Sequence, residues 1–357
     1  MISTRCFTQD LVDCRDVMLA GGKGTSLGRL IRAGFPVPGG FVVNTRVWRL
    51  AREEAASVGK PVEIPPQVAR EISYYYNTMA AGAVAVRSSA TAEDLAAASM
   101  AGQCETFLNV EGEAELLEAV RRCWASLEAP RIRAYFDQHG INPAKVAMAV
   151  VVQRLVPADV AGVLFTADPN GAGSGKMLIE ANWGLGETVV GGQAQPDVLT
   201  VDRETGRVLS AKIADKQVYL AAGTGKEQPV AESLRNKSCL SSRDVHRLWE
   251  LGKRIMEHFA APQDIEWAIH QGDLYLLQSR PITTQQEAEA AEAALCATRR
   301  RLREEMAAVR RAVPTMAGED FCPAPSRIGC KTANQLPLAT EEGSNWIGRC
   351  RRGYLEG

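Results

Sequence analysis

The sequence predicts a mixed fold of helices and strands, α/β or α+β. Short apolar runs of strand length recur along the chain, at residues 84–86, 146–152, 160–166, 177–180, 265–269 and 274–278. Helix-like stretches lie between them, and the clearest is 112–126, where apolar residues recur at intervals of three and four. A chain of 357 residues also exceeds one ordinary core, which predicts at least two domains.

Composition excludes several classes of function. The net charge is −1 and only 6% of residues are aromatic, so we expect no nucleic-acid partner. The longest apolar run, 146–152, is far shorter than a membrane helix, so we expect no membrane partner. Nine cysteines without a C-x-x-C pair are typical of a reducing compartment, which predicts a cytoplasmic protein.

A glycine-rich segment at 21–28, GGKGTSLG, is the first candidate phosphate site. Glycines let backbone N–H groups approach phosphate oxygens, and Lys23 adds a mobile positive charge. The segment is not a Walker A loop, because Val17 and Gly24 stand where that pattern requires Gly and Ser or Thr. The alternative is a tight turn that leads into a helix at 26–33.

An arginine followed by two serines ends the apolar run at 84–86. Arg87 would place a planar guanidinium at the end of a strand, and such a fork of donors suits a polyphosphate. In the alternative interpretation, Arg87 is a surface residue that pairs with Glu93 or Asp94.

A second glycine-rich segment, GAGSGK, lies at 171–176. It also departs from the Walker A pattern, because Asn170 and Met177 occupy the first and last required positions. Since it lies between two predicted strands, we interpret it as a hairpin connection rather than a phosphate site.

Residues 264–281, DIEWAIHQGDLYLLQSRP, predict a β-hairpin with a three-residue connection at 271–273. In that register Glu266 lies opposite Gln278, and Arg280 shares the face of Gln278 because side chains alternate along a strand. A carboxylate, an amide oxygen and a guanidinium on one face could hold Mg²⁺ and the phosphates that it neutralises. The alternative is the solvated face of an amphipathic hairpin.

Taken together, five segments resemble the nucleotide-binding domain of the phosphoenolpyruvate synthase and pyruvate phosphate dikinase family. In chain order they span 21–43, 85–110, 151–169, 179–197 and 264–283. The resemblance implies an α+β ATP-grasp fold, with two α/β subdomains at 1–154 and 155–284 around an ATP cleft. A helical tail at 285–357 would follow.

The resemblance implies ATP and Mg²⁺ as ligands and assigns roles to the candidate residues. Lys23, Arg87 and Arg280 would contact the ATP phosphates and act in catalysis. Gly102 and Thr106 would lie on the loop that closes over those phosphates.

The same resemblance assigns the other end of the site. Gln153 would face the adenine at the hinge, and Glu266 and Gln278 would bind Mg²⁺. Glu187 would lie near the same cleft.

The histidine that accepts phosphate in this family is not recognisable here. The family reaction splits ATP into AMP and phosphate through a histidine in a G-G-x-[TS]-S-H-A segment. The four histidines lie elsewhere, at 139, 246, 258 and 270, and residues 285–357 are too few for further domains. We therefore expect a separate subunit to carry the phosphorylatable histidine and the acceptor site.

Within the family, the resemblance points to a stand-alone ATP-binding subunit such as that of phenylphosphate synthase, whose acceptor is phenol. One alternative is the ATP-binding component of a phosphoenolpyruvate synthase-like (pyruvate, water dikinase) or rifampin phosphotransferase-like system. A non-catalytic ATP-binding regulator and a truncated remnant are others. The intact set of phosphate-binding residues argues against a remnant, and no residue identifies the acceptor.

The segment 285–312 is rich in Ala, Glu and Arg, and predicts a helix with one narrow apolar stripe. The stripe comprises Leu295, Leu302, Met306 and Val309. We expect this helix either to dock the partner subunit or to fold back on its own domain.

Overall fold

A computed structural model describes residues 7–59, 61–79, 82–92, 94–95, 98–99, 105–169, 175–192 and 194–282. By its contacts the chain divides into one unit at Met1–Leu302 and another at Arg303–Gly357. All described residues belong to the first unit. The tail helix expected at 285–312, Gly102, and most of the glycine-rich segment at 171–176 lie outside the described residues.

The described residues form helices and strands, with two short 3₁₀ turns at Leu11–Asp13 and Pro143–Lys145. The helices are α1 (Val17–Arg32), α2 (Thr45–Val58), α3 (Pro66–Thr78), α4 (Glu113–Ser126), α5 (Pro130–His139), α6 (Glu187–Val190), α7 (Glu232–Arg235) and α8 (Ser242–Phe259). The strands are β1 (Thr8–Asp10), β2 (Gly40–Val43), β3 (Val84–Ala90), β4 (Asp94–Leu95), β5 (Ala98–Ser99), β6 (Thr106–Val110), β7 (Met148–Arg154), β8 (Val160–Phe165), β9 (Lys176–Trp183), β10 (Asp197–Asp202), β11 (Val208–Lys212), β12 (Val218–Leu220), β13 (Glu227–Pro229), β14 (Gln263–His270) and β15 (Asp273–Pro281). In the described part of the chain, every helix is too short or too polar to cross a bilayer.

Two antiparallel sheets organise these elements. The first sheet has the strand order β1-β2-β7-β3-β6, and the second has the order β11-β10-β9-β8-β14-β15. All neighbouring strands in both sheets run antiparallel. The α+β class predicted from the sequence is therefore confirmed, and each predicted strand is present as β3, β7, β8, β9, β14 or β15.

Helices pack against both sheets. On the first sheet, α4 follows the predicted bounds and buries Leu116, Val120 and Trp124 in a core with strands β3 and β7. On the second sheet, α8 begins at a capping box in which Ser241 and Asp244 satisfy each other's backbone N–H groups. Its apolar side packs in a second core that contains the fully buried Trp267 of β14.

Helix α1 contributes side chains to the cores of both sheets. Leu27 packs in a cluster with β2 and β7 of the first sheet, whereas Leu30 packs in the core of the second sheet. In addition, the Ser26 hydroxyl donates to the carbonyl oxygen of Ser279 in β15 at 2.9 Å. The helix thus ties the two sheets together beside the space between them.

The second sheet also contains a fully buried ion pair. Lys216 Nζ lies 2.6 Å from Asp197 Oδ1, and neither side chain is exposed to solvent. The same carboxylate accepts hydrogen bonds from the backbone N–H groups of Ala214 and Cys239, at 3.0 and 2.8 Å. Burial near this negative charge raises the pKa of the Cys239 thiol. The pair fixes the segment after β11 to the start of β10.

We predict that Asp197→Asn lowers the free energy of unfolding by about 3–5 kcal/mol, because it leaves the buried Lys216 charge uncompensated. The matched control is Glu63→Gln, which removes the exposed carboxylate that pairs with Arg121 at 3.3 Å. That change should cost less than about 1 kcal/mol. Urea unfolding of both variants measures the difference, and equal losses would contradict a structural role for the buried pair.

Candidate active site

A cleft of about 830 Å³ lies between the two sheets. It is lined by every described residue for which the sequence predicted a role: Lys23, Arg87, Thr106, Gln153, Glu187, Glu266, Gln278 and Arg280. These residues come from α1, β3, β6, β7, α6, β14 and β15. The fold therefore brings together side chains that are up to 257 positions apart in the sequence, between Lys23 and Arg280.

Arg87 is the central cation of the cleft. It lies on β3 and is only 6% exposed. Its Nη1 is 3.4 Å from Glu266 Oε2, 3.3 Å from Gln278 Oε1 and 3.5 Å from the carbonyl oxygen of Leu277. Its Nε is buried without a hydrogen-bond partner among the described residues. The side chain thus reaches from the first sheet to the second, and its buried Nε–H is available to a ligand.

The hairpin β14–β15 places Glu266 opposite Gln278, as the sequence predicted, but its turn differs from the predicted one. The connection contains two residues rather than three, because His270 pairs with Asp273. The predicted three-residue connection is wrong, since Gln271 and Gly272 both take positive φ, which suits a two-residue turn. A bulge next to Glu266 then inserts one extra residue into β15 and restores the predicted pairing.

Arg280 is held by Asp264, the residue opposite it in the hairpin. Its Nε and Nη2 donate to Asp264 Oδ2 at 2.8 and 2.6 Å. Burial raises the pKa of Asp264, although the Arg280 charge opposes that shift. About a third of the Arg280 side chain is exposed. Asp264 was missed in the sequence, although its position two residues before Glu266 puts it on the same face of β14.

Lys23 follows a break in helix α1. The helix begins at Val17, where the Asp16 side chain caps it, and Gly21 interrupts it with a φ of 68°. A Cβ on Gly21 would lie 2.1 Å from the carbonyl oxygen of Ser89 in β3, so only glycine allows this close approach. The Ser89 hydroxyl accepts from the Gly24 N–H at 3.2 Å and donates to Ala20 O at 2.8 Å. The glycines therefore pack α1 against β3 and bring Lys23 to the cleft.

One part of the cleft wall is apolar. It includes an apolar cluster of Val156, Ala158, Ala161, Leu185 and Ala268. Gln153 lies at the end of β7 beside it, almost fully buried, and its Nε2 donates to the carbonyl oxygen of Pro38 at 3.3 Å. That bond orients the amide so that Oε1 is the acceptor it can present. An apolar wall with one oriented amide suits a flat heteroaromatic ring.

Glu187 is the first residue of α6 and lines the same cleft. Burial is the main cause that raises its pKa; the charge of Arg87 lowers the pKa and that of Glu266 raises it. Glu187 therefore lies near enough to Arg87 and Glu266 for their charges to affect its pKa.

An ion pair at the rim was missed in the sequence. Arg131, at the start of α5, donates to Glu105 Oε1 at 2.6 Å, and both residues line the cleft. The carbonyl oxygen of Glu105 accepts from both the N–H and the hydroxyl of Ser88, next to Arg87. The sequence signal for Arg131 was weak, because a basic residue after a helix-starting proline is commonly a surface residue.

A turn of the second half of the chain crosses to the first sheet. Asn109 of β6 accepts a hydrogen bond from the Gly223 N–H at 2.8 Å. Leu108 of β6 and Leu220 of β12 both pack against the apolar cluster of the cleft wall. The turn between β12 and β13 thus joins the two walls of the cleft beside the apolar cluster.

The oxygens of Glu266 and Gln278 suit a hard divalent cation. Both oxygens lie within 3.4 Å of one positively charged nitrogen, Arg87 Nη1, so they converge on a single position. Among the described residues no group of three or more His, Cys, Asp or Glu side chains could hold a metal. A Mg²⁺ ion here would therefore complete its ligands with phosphate oxygens and water, which is its usual mode in phosphate-binding sites.

Comparison with known proteins gives matches over most of the chain. The family described as pyruvate phosphate dikinase, AMP/ATP-binding domain, matches residues 48–300, a range that includes the candidate residues other than Lys23. A probable phosphoenolpyruvate synthase of Methanothermobacter thermautotrophicus is 41% identical over 309 residues, covering 76% of this chain and 45% of that protein. A rifampicin phosphotransferase of Streptomyces sviceus is 38% identical, covering 76% of this chain and 35% of that protein. The chain thus spans less than half the length of these curated relatives.

Among solved structures, D-alanyl-alanine synthetase A from Vibrio cholerae aligns with a TM-score of 0.35 and 14% identity. The alignment covers 74% of this chain and 56% of that one.

We predict that Gly21→Ala destabilises the protein more than Gly34→Ala does. Both glycines have positive φ, which costs alanine about 1–2 kcal/mol, but no atom lies within 4 Å of a Cβ at Gly34. At Gly21 the methyl group must also displace the Ser89 backbone, which should cost about 1–3 kcal/mol more. Urea unfolding measures both changes; equal losses would show that Gly21 serves only the backbone angle.

Proposed function

This chain belongs to the family of the pyruvate phosphate dikinase AMP/ATP-binding domain, and from that membership we propose that it binds Mg·ATP and drives dikinase-type phosphate transfer. In this proposal ATP is converted to AMP and phosphate, and a histidine outside residues 1–357 is phosphorylated. The observation that carries the proposal is the convergence of Arg87, Glu266, Gln278 and Arg280 on one cleft between the two sheets.

The apolar and the charged parts of the cleft wall support an orientation for ATP. The base would lie against the apolar wall, with the exocyclic amine of adenine donating to Gln153 Oε1. The phosphates would then extend toward Lys23, Arg87 and Arg280. Two antiparallel sheets around a bound nucleotide would be the ATP-grasp arrangement that the family resemblance implies.

The chain's own residues would position the phosphates and their charge. Glu266 and Gln278 would hold Mg²⁺, which when bound neutralises phosphate oxygens. Arg87 has a buried, unused Nε–H and would donate to the triphosphate. Arg280 is kept in place by Asp264 at 2.6 Å and would supply a second guanidinium. Positioning and charge stabilisation of this kind provide most of the catalysis in phosphoryl transfer.

We propose that the phosphate acceptor is selected outside this region. The region is similar in proteins named for different products and substrates, a probable phosphoenolpyruvate synthase and a rifampicin phosphotransferase. None of the histidines of this chain stands in the family's phosphorylated segment. The acceptor histidine would belong to a separate subunit, and phenol, as in phenylphosphate synthase, is the final acceptor that we propose.

The test is to incubate the chain with ATP and Mg²⁺, with and without a histidine-bearing polypeptide of this family. We expect ATP binding in both cases, and AMP, phosphate and a phosphorylated partner only when the polypeptide is present. A non-catalytic ATP-binding regulator would bind ATP and never phosphorylate the partner. Rapid AMP release by the chain alone would contradict the requirement for an external histidine.

We further predict that Arg280→Gln weakens ATP binding by about 10- to 100-fold, because one charge-assisted phosphate contact is worth about 1.5–3 kcal/mol. The affinity for AMP, which lacks the two outer phosphates, should change little. Arg52→Gln, an exposed arginine that does not line the cleft, is the control. Calorimetric titration measures both nucleotides, and equal losses for AMP and ATP would place Arg280 away from the outer phosphates.

A further inference from the structure

We propose that Arg87 occupies the metal position between Glu266 and Gln278 until nucleotide arrives, so that the divalent cation enters only together with the triphosphate. The inference rests on the proposed function, because it assumes that ATP binds in this cleft. It assigns to Arg87 a second role, that of a placeholder cation, in addition to phosphate binding.

The position of Arg87 Nη1 supports this role. Three oxygens surround the one nitrogen, from Glu266, Gln278 and the Leu277 carbonyl, at 3.3 to 3.5 Å. Two of them are the proposed metal ligands. A divalent cation placed between those ligands would meet the guanidinium, so the nitrogen and the ion exclude each other by both volume and like charge.

The contacts of Arg87 are longer than those of the other cleft arginine. Ordinary N–H···O bonds cluster near 2.9–3.0 Å, and charge-assisted ones are shorter still. The hydrogen bonds of Arg280 to Asp264 fall in this range, at 2.6 and 2.8 Å. Those of Arg87 to the residues that the structure describes are longer, at 3.3 to 3.5 Å. One arginine is therefore firmly held, and the other holds its partners loosely enough to exchange them.

Arg87 also has a reason to move toward a phosphate. Its buried Nε–H has no partner among the described residues, and a buried donor without an acceptor is unfavourable. Phosphate oxygens would satisfy this donor and offer two parallel bonds to the planar guanidinium. A triphosphate therefore gives Arg87 better partners than Glu266 and Gln278 do.

The charge balance of the site requires that another cation replace Arg87 when Arg87 leaves Glu266 and Gln278. When Arg87 turns to the phosphates, Glu266 loses its positively charged neighbour, while Glu187 lies near enough for their charges to interact. A divalent cation delivered with the triphosphate restores the balance at the same position. Metal and nucleotide should therefore bind with strong positive coupling.

The first test uses Mn²⁺ as the probe and counts the free ion by electron paramagnetic resonance. In the nucleotide-free protein we expect weak Mn²⁺ binding that Glu266→Gln does not change, because Arg87 blocks the site. With a non-hydrolysable ATP analogue bound, the same substitution should weaken Mn²⁺ binding about 10-fold or more. If the nucleotide-free wild-type protein binds Mn²⁺ tightly and Glu266→Gln abolishes that binding, the inference is overturned. This comparison requires no substitution of Arg87.

The second test removes the placeholder. Arg87→Met should raise the nucleotide-free affinity for Mn²⁺ by about 10- to 100-fold while it weakens binding of the ATP analogue. Adding Glu266→Gln to this variant should abolish the gain. The matched control is Arg154→Met, which removes an equal charge from the cleft wall where the side chain donates to the Met79 carbonyl. A gain in Arg154→Met equal to that in Arg87→Met would show a general charge effect and overturn the inference.

The outcomes also separate the inference from the proposed function. If the analogue binds and Mn²⁺ affinity does not depend on it, the placeholder role fails and the proposed function stands. If no adenine nucleotide binds, both fail. If Arg87→Met does not fold, the comparison of Mn²⁺ binding by the wild type and by Glu266→Gln tests the placeholder role by itself.

Discussion

The contact of Arg87 with Glu266 and Gln278 couples the two walls of the cleft, because a buried positive charge requires acceptors nearby. Arg87 projects from the first sheet, but the side-chain acceptors close to its Nη1 belong to the second sheet. If the two sheets separated, the Arg87 charge would therefore either become exposed to solvent or remain buried without acceptors. The side chain that bridges the two sheets is also the one that we propose for the triphosphate, so stability and function depend here on the same residue.

Helix α1 supports this arrangement from the side. It packs in both cores, and its Ser26 hydroxyl bonds to the backbone of β15 next to the hairpin residues of the site. The break at Gly21 lets the helix approach the end of β3, only two residues beyond Arg87, where Ser89 joins the two elements. Lys23 and Arg87 are thus fixed to one another through backbone packing, and neither depends on a flexible loop for its position.

Much of the fold could be predicted because buried strands are continuous apolar runs. Strands β3, β7 and β8 are almost wholly buried, whereas β11 is exposed along its length and has no such signal. The site residues were predicted by resemblance, but their contacts could not be. The partner of Arg87 lies 179 positions away, so no local pattern could indicate that contact. The hairpin register, by contrast, does place Asp264 opposite Arg280, but it does not show that the two side chains pair. The start of α1 was also missed, because its cap at Asp16 precedes a glycine-rich segment that disfavours helix.

The bulge in β15 separates the length of the turn from the geometry of the site. A regular ladder leading from the two-residue turn would put Leu277 opposite Glu266 and point Gln278 toward the opposite face. The inserted residue restores the pairing of Gln278 with Glu266. A hairpin whose turn is one residue longer and that has no bulge would therefore present the same pair. Homologous hairpins can therefore exchange a turn residue for a bulge residue without loss of the site. A sequence alignment that superimposes the turns of two such hairpins would then be wrong by one position along β15. An alignment that superimposes the pair of Glu266 and Gln278 would match equivalent side chains.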